Sequence, residues 1–317
     1  MLGGKLYKSI INPLFFIQKN LILGESAKIQ RSDLMTQKTL LNPTNDYVFG
    51  RIFGYKGNEN ITKGLLESIT NEKYKSLEIA SSVPTIKELQ DDKMGILDIK
   101  ATADNNSVFN IEMQVAKNKN IADRILWYWS NLYSNSINKG EDYIKTKKAI
   151  AILIADFDLS NLTQIPKFHT SWHIREDEFS EIILTEKLEL HIIELKKLEV
   201  NSNQNIKPKK LTKWLKFILN PNEKGDLSME EDEDIKAARK VLEQISQDEK
   251  EREKARLRDK YVREMNSSRN EGYAEGKISE KIKIAKIMLQ EGSDISFIVK
   301  CTGLTDEEVK SLLSKLQ

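Results

Sequence analysis

Two short segments carry the side chains best suited to chemistry. Ile96-Leu97-Asp98-Ile99-Lys100-Ala101-Thr102 and Val108-Phe109-Asn110-Ile111-Glu112-Met113-Gln114-Val115 each alternate apolar and polar residues. That is the two-residue period of a strand with one buried face. The polar faces carry Asp98, Lys100 and Thr102 on one segment and Asn110, Glu112 and Gln114 on the other. A three-residue loop, Asp104-Asn105-Asn106, would pair Ala103 with Ser107 and set Asn106 in the left-handed conformation that asparagine tolerates. Asp98 then lies opposite Glu112, and Lys100 opposite Asn110. A two-residue loop shifts the register by one and sends the two carboxylates to opposite faces; the turn residues permit both. Opposed like charges destabilise a sheet. A divalent cation removes the conflict, and Mg2+ or Mn2+ takes carboxylate oxygens. Such an ion keeps water that can act as nucleophile and polarises a phosphoryl oxygen. Lys100 or Gln114 would orient that water or support the phosphate. The competing reading is an amphipathic hairpin whose polar face is simply wet.

The flanking sequence supplies the frame for this hairpin. Thr44 or Asn45 can cap a helix in which Tyr47, Val48, Ile52 and Phe53 share a face, with Gly54 and Gly57 ending it. A second helix is expected over Asn60 to Thr70, and a short strand over Leu77 to Val83, stopped by Pro84. A long helix with an aromatic-rich face follows over Ile121 to Ile137. Ala149 to Ala155 is an unbroken apolar run of strand length, as a strand buried on both faces requires. Two more strands are expected near Ser171 to Arg175 and Leu188 to Glu194. The sequence changes character after Val200. Residues 201–210 read as a polar linker, and Leu211 to Leu219 as a short helix. Glu230 to Glu271 is dense in both charge signs, with Ile235, Ala238, Leu242 and Ile245 forming a stripe on its first half. Its second half reads as a solvated helix or as partly disordered. Lys277 to Gln290 is a further amphipathic helix. Ser293 or Asp294 starts another, and Thr305 the last; Thr305 and Glu308 have capping-box spacing.

Composition bounds the function classes. The chain has 317 residues, 39% hydrophobic and 31% charged, with a formal net charge of +2. Nucleic-acid binding would therefore depend on a local patch rather than a global basic field. One cysteine, Cys301, excludes a disulfide framework and a multi-cysteine zinc site, which fits a cytoplasmic setting. No apolar run has membrane-helix length, so no membrane partner is expected. Residues 1–34 read as an extension, disordered or upstream of a true start at Met35. The rest divides into a domain over 35–200 and a linker with a charged helical region over 201–317.

Several ordered motifs carry a family likeness. NPTNDYVFGRIFG (42–54), GILDIKA (95–101), FNIEMQV (109–115), ADRILWYWSNLYS (122–134) and LHIIELKKL (190–198) together resemble the PD-(D/E)XK nuclease family known as recombination-promoting nucleases (Rpn) and related transposase-like proteins. The likeness covers roughly residues 40–200. It implies an α/β fold with a restriction-endonuclease-like core, a mixed sheet flanked by helices, followed by an α-helical C-terminal region. It also implies a Mg2+- or Mn2+-dependent DNA endonuclease that promotes recombination. The family's aspartate falls on Asp98 and its glutamate on Glu112. Gln114 stands where the wider superfamily has lysine, a neutral amide in place of a positive charge, and Lys100 on the same face is the candidate replacement. Asp46 resembles an acidic residue that extends the metal shell, or it caps its helix. Arg124 is a candidate phosphate contact. Tyr128, one turn on, faces phosphate or the core. The alternative is a catalytically degenerate DNA-binding or protein-interaction protein derived from a mobile element.

The other reactive side chains point less clearly to a site. His169 and His173 would share a metal only on a helix, and their segment reads as strand or loop. His191 reads as structural. Lys207, Lys209, Lys210, Lys213 and Lys216, interleaved with Trp214 and Phe217, form either a DNA-backbone contact or a charged linker. The last helices are similar to helix-turn-helix tails of such proteins, or form a packing unit through which the chain oligomerises.

Overall fold

The computed structural model describes residues 39–80, 98–117, 120–200, 209–222 and 232–315. The expected extension at 1–34, the Pro84 stop and residues 94–97 of the first hairpin strand lie outside them. One six-stranded mixed sheet organises the fold. Its strands are β1 (Leu77–Ile79), β2 (Asp98–Ala103), β3 (Val108–Gln114), β4 (Ala149–Ala155), β5 (His169–Trp172) and β6 (Leu188–Glu194), in spatial order β1-β2-β3-β4-β6-β5. β3, β4 and β6 run parallel, and the other neighbours antiparallel. The uninterrupted AIAILIA run is fully buried as β4, at the centre of the sheet. The fifth strand begins two residues earlier than the sequence predicts and ends at Trp172, because its partners in β6 are Leu190 to Ile193.

The two faces of the sheet bury different helices. Ile99, Ile111, Ile152 and Ile193 point to one face. They share a core there with α1 (Asp46–Phe53), α2 (Glu59–Thr70), α5 (Lys210–Leu219) and α6 (Glu233–Gln247). On the other face, Ala151, Leu153, Leu190 and Ile192 meet Ile121 and Ile125 of α3 (Ile121–Ser134). A short α4 (Lys196–Val200) follows β6. Asn45 caps α1 through its side chain, which accepts from Val48 N at 3.2 Å, and α2 ends on left-handed Asn71. α2 and α6 approach closely at Gly64, where any Cβ would overlap the Asp234 carboxylate.

The chain beyond residue 200 shares the first core. Leu211, Trp214, Phe217, Ile235, Ala238 and Leu242 are buried with Phe53 and Leu65. This corrects the reading of the basic segment as a DNA contact with interleaved aromatics. Trp214 and Phe217 are core side chains, Lys213 is buried against Asp232 at 2.7 Å, and Lys210 pairs with Asp234 at 2.5 Å. The charged stretch and the expected helix at 277–290 are one continuous helix, α7 (Glu249–Gln290), of 42 residues. α8 (Ile295–Thr302) and α9 (Asp306–Ser314) fold back on its end around Ala285, Ile298, Leu304 and Val309. The Thr305–Glu308 capping box is present.

Candidate active site

The hairpin adopts the register in which the carboxylates meet. Asp98 pairs with Glu112, and Lys100 with Asn110. The turn is the three-residue form: Ala103 N donates to Ser107 O at 2.9 Å, and Asn106 has φ 64°. Side chains at 98, 100, 110, 112 and 114 therefore share the face covered by α3. That face is not uniformly wet. Asn110 and Glu112 are each 3% exposed, whereas the Lys100 side chain is 60% exposed at the rim. A carboxylate so buried is costly unless it has partners.

Glu112 finds its partner on α3. Arg124 Nη2 donates to Glu112 Oε1 and, at 3.1 Å, to Gln114 Oε1. Gln114 Nε2 in turn donates to Ala116 O at 3.0 Å, which orients the amide with its oxygen toward the guanidinium. Arg124 Nε is buried with no hydrogen-bond partner among the described residues. The guanidinium lies 5.6 Å from the centre of the Tyr128 ring, so Tyr128 belongs to the site rather than to the core; burial raises its hydroxyl pKa. Burial pushes Glu112 up to about 7, and the charges of Asp98 and Asp46 add to this against the pull of Arg124. Lys100 Nζ lies 3.9 Å from Asp98 Oδ2, so the exposed ammonium stands beside the less buried of the two carboxylates.

Asp46 lies in the first turn of α1, the helix packed against β2 and β3. It is buried and held by a second arginine from the far end of the sequence. Arg258 Nε donates to Asp46 Oδ1 at 2.9 Å and to Oδ2 at 3.0 Å, and Nη2 donates to Oδ2 at 2.6 Å. The sequence offers no local signal for this residue, since 212 positions separate the partners. Neighbouring contacts fasten the same stretch of α7 to α1. Asn45 Nδ2 donates to Ala255 O at 3.1 Å and Asp259 Oδ1 at 2.6 Å, and Glu251 accepts from Tyr47 Oη at 2.8 Å and Arg51 Nε at 2.5 Å. Farther along, Arg269 donates to Lys117 O at 2.7 Å, just past β3.

Residues 43–272 match the family described as PD-(D/E)XK nuclease family transposase, well over half of the chain. The chain belongs to this family. Residues 279–314, the end of α7 with α8 and α9, match the C-terminal helix-turn-helix domain of the Rpn/YhgA-like nuclease family. No curated protein and no solved structure gives a match. PD-(D/E)XK nucleases typically use a divalent metal. Among the described residues, no three His, Cys, Asp or Glu side chains are arranged as a ready metal shell. The donor set nonetheless suits such an ion. Two opposed carboxylates repel each other, a third adds to the repulsion, and Glu112 already pairs with a cationic side chain.

The three histidines lie elsewhere. His169 Nε2 and His191 Nδ1 are 2.9 Å apart, His191 Nε2 lies 2.6 Å from Glu189 Oε1, and His173 Nε2 lies 3.7 Å from Glu189 Oε2. Lys148 completes the network at 2.6 Å from Glu189. His169 sits on a strand, so His169 and His173 are not helical neighbours. No helix of the described residues is long and apolar enough to cross a membrane.

Proposed function

We propose that this family member hydrolyses DNA phosphodiester bonds, with Asp98 and Glu112 holding a divalent cation, Mg2+ or Mn2+. The observation that supports this reading best is the Asp98–Glu112 register inside a match to the nuclease family. When bound, such an ion supplies polarisation of the phosphoryl oxygen and activation of water. Gln114 has a positioning role, because both ends of its amide are engaged and its oxygen faces Arg124. Arg124 provides the positive charge that the superfamily's lysine brings to this strand, fixed there by its bonds to Glu112 and Gln114. Lys100, exposed beside Asp98, contacts the DNA backbone at the rim. The helix-turn-helix unit binds DNA through lysines such as Lys283, Lys286 and Lys300 rather than through the start of α9. That first turn holds Asp306, Glu307 and Glu308, which repel phosphate. Purified protein will nick supercoiled DNA with Mg2+, stop with chelator, and stop in Asp98→Ala. Activity that persists in Asp98→Ala removes the site.

A second reading is a catalytically degenerate DNA-binding protein. The paired state of both buried carboxylates, Glu112 with Arg124 and Asp46 with Arg258, favours it. DNA binding that is indifferent to metal, with no cleavage under any divalent ion, is its signature.

A further inference from the structure

Asp46 opens α1, the helix packed against both hairpin strands β2 and β3, yet its carboxylate is turned to Arg258. The pair is buried, and Arg258 Nη1 has no hydrogen-bond partner among the described residues. A guanidinium with an unsatisfied buried donor is incompletely accommodated, and a carboxylate gripped on both oxygens offers a cation few free lone pairs. Two opposed carboxylates are present on the hairpin, and Asp46 is gripped by Arg258 of α7.

We propose that Arg258 is a positioning residue that withholds Asp46 from the acidic site, so that a divalent cation and α7 compete for one carboxylate. This rests on the reading of Asp98 and Glu112 as the metal-holding pair. The fold supplies the means for such competition. Ala255 and Asp259, on either side of Arg258, are fastened to Asn45, which caps the helix that begins at Asp46. Movement of the guanidinium off Asp46 therefore acts on the same stretch, Glu251 to Asp259, that anchors α7. Loss of Arg258 leaves Asp46 with its charge unmatched on the helix packed against the hairpin, and an unmatched carboxylate near a divalent ion strengthens its binding.

The test is Mn2+ binding to the full-length protein by calorimetry, without DNA. Arg258→Ala should bind Mn2+ roughly tenfold or more tightly than the parent, as a net unit of negative charge beside a divalent cation implies after solvent screening. Arg258→Lys, which keeps the charge, should stay near the parent. Asp46→Asn combined with Arg258→Ala should bind no more tightly than Asp46→Asn alone. A purely structural role predicts the opposite for Arg258→Ala, namely weaker binding together with lower stability. If Arg258→Ala does not fold, Arg258→Gln carries the same expectation. Unchanged or weaker binding in the charge-removing variant overturns the proposal, as does a gain that survives Asp46→Asn. Plasmid nicking is measured separately. Its absence with Mn2+ binding intact counts against the nuclease reading alone, whereas absence of Mn2+ binding in every variant removes both.

Discussion

Leu242 on α6 is fully buried in the same core as Phe53, Leu65 and Ile152, so Leu242→Ala should weaken the sheet as well as the helix. The substitution removes roughly three carbon groups, worth about 2.4 kcal/mol at about 0.8 kcal/mol each. The unfilled space adds to this, for an expected loss of about 3–4 kcal/mol. At about 2–4 °C per kcal/mol for a unit of this size, the melting temperature should fall by about 6–16 °C. Urea denaturation followed by circular dichroism gives the free energy. Hydrogen exchange of β4 amides, read in parallel, reports whether the sheet feels the change. One shared core requires β4 protection to fall by the same free energy as that of α6. If α6 amides lose protection while those of β4 keep theirs, the segment past residue 200 unfolds separately and the reasoning fails. The same logic predicts that a chain ended near residue 205 will not fold cooperatively, since the face occupied by Trp214 and Leu242 would be bare.

Three other outcomes follow from particular side chains. Gly64→Ala should cost about 1–3 kcal/mol by forcing Asp234 from its place against Lys210; adding Asp234→Ala should recover part of the loss in a denaturation series. Asn106→Ala should cost about 1–2 kcal/mol at its left-handed φ of 64°, while Asn106→Gly should be neutral or stabilising; equal stability of the two variants would argue against the three-residue turn. Glu189 is held down at about 2: burial opposes this, but hydrogen bonds from His191 and Lys148 prevail. Its folded pKa is depressed, so the stability it contributes is present above about pH 4.5 and is lost as pH falls from there toward 2, a loss of about 2 kcal/mol after discounting for solvent screening. Glu189→Gln should flatten that acid limb of the melting-temperature profile.

The hairpin was legible in the sequence for physical reasons. Strand parity assigns the faces of each strand, but the turn residues allow two registers; the structure takes the three-residue turn, with Asn106 at a left-handed φ, and that brings Asp98 and Glu112 together. The apolar stripes of α1, α2 and α6 were legible too, because periodicity reports which side of a helix is buried. It does not report what covers that side. The α6 stripe therefore gave no sign that its partner is the nuclease core, and Lys213 and Trp214 read as surface while they lie inside. The burial of Glu112 was likewise hidden, since alternation marks a polar face but not the helix above it. Arg124 was legible as a cation in the right helix, whereas its bond to Gln114 follows from the tertiary approach of α3. Arg258 carries no local signature, since its significance lies wholly in Asp46.

α7 is held at both ends, by α1 through Glu251 to Asp259 and by α8 and α9 around Ala285. Most side chains from Arg263 to Glu280 are exposed, so substitutions there, Arg269 with its bond to Lys117 O apart, alter little. Length is a different matter. One inserted residue turns everything beyond it by about 100° and advances it by about 1.5 Å, which would point the helix-turn-helix unit in a new direction relative to the Asp98–Glu112 hairpin. The middle of this helix is thus tolerant of spelling and intolerant of counting: seven residues, two near-integral turns, is the smallest insertion that keeps the unit's heading close to the original.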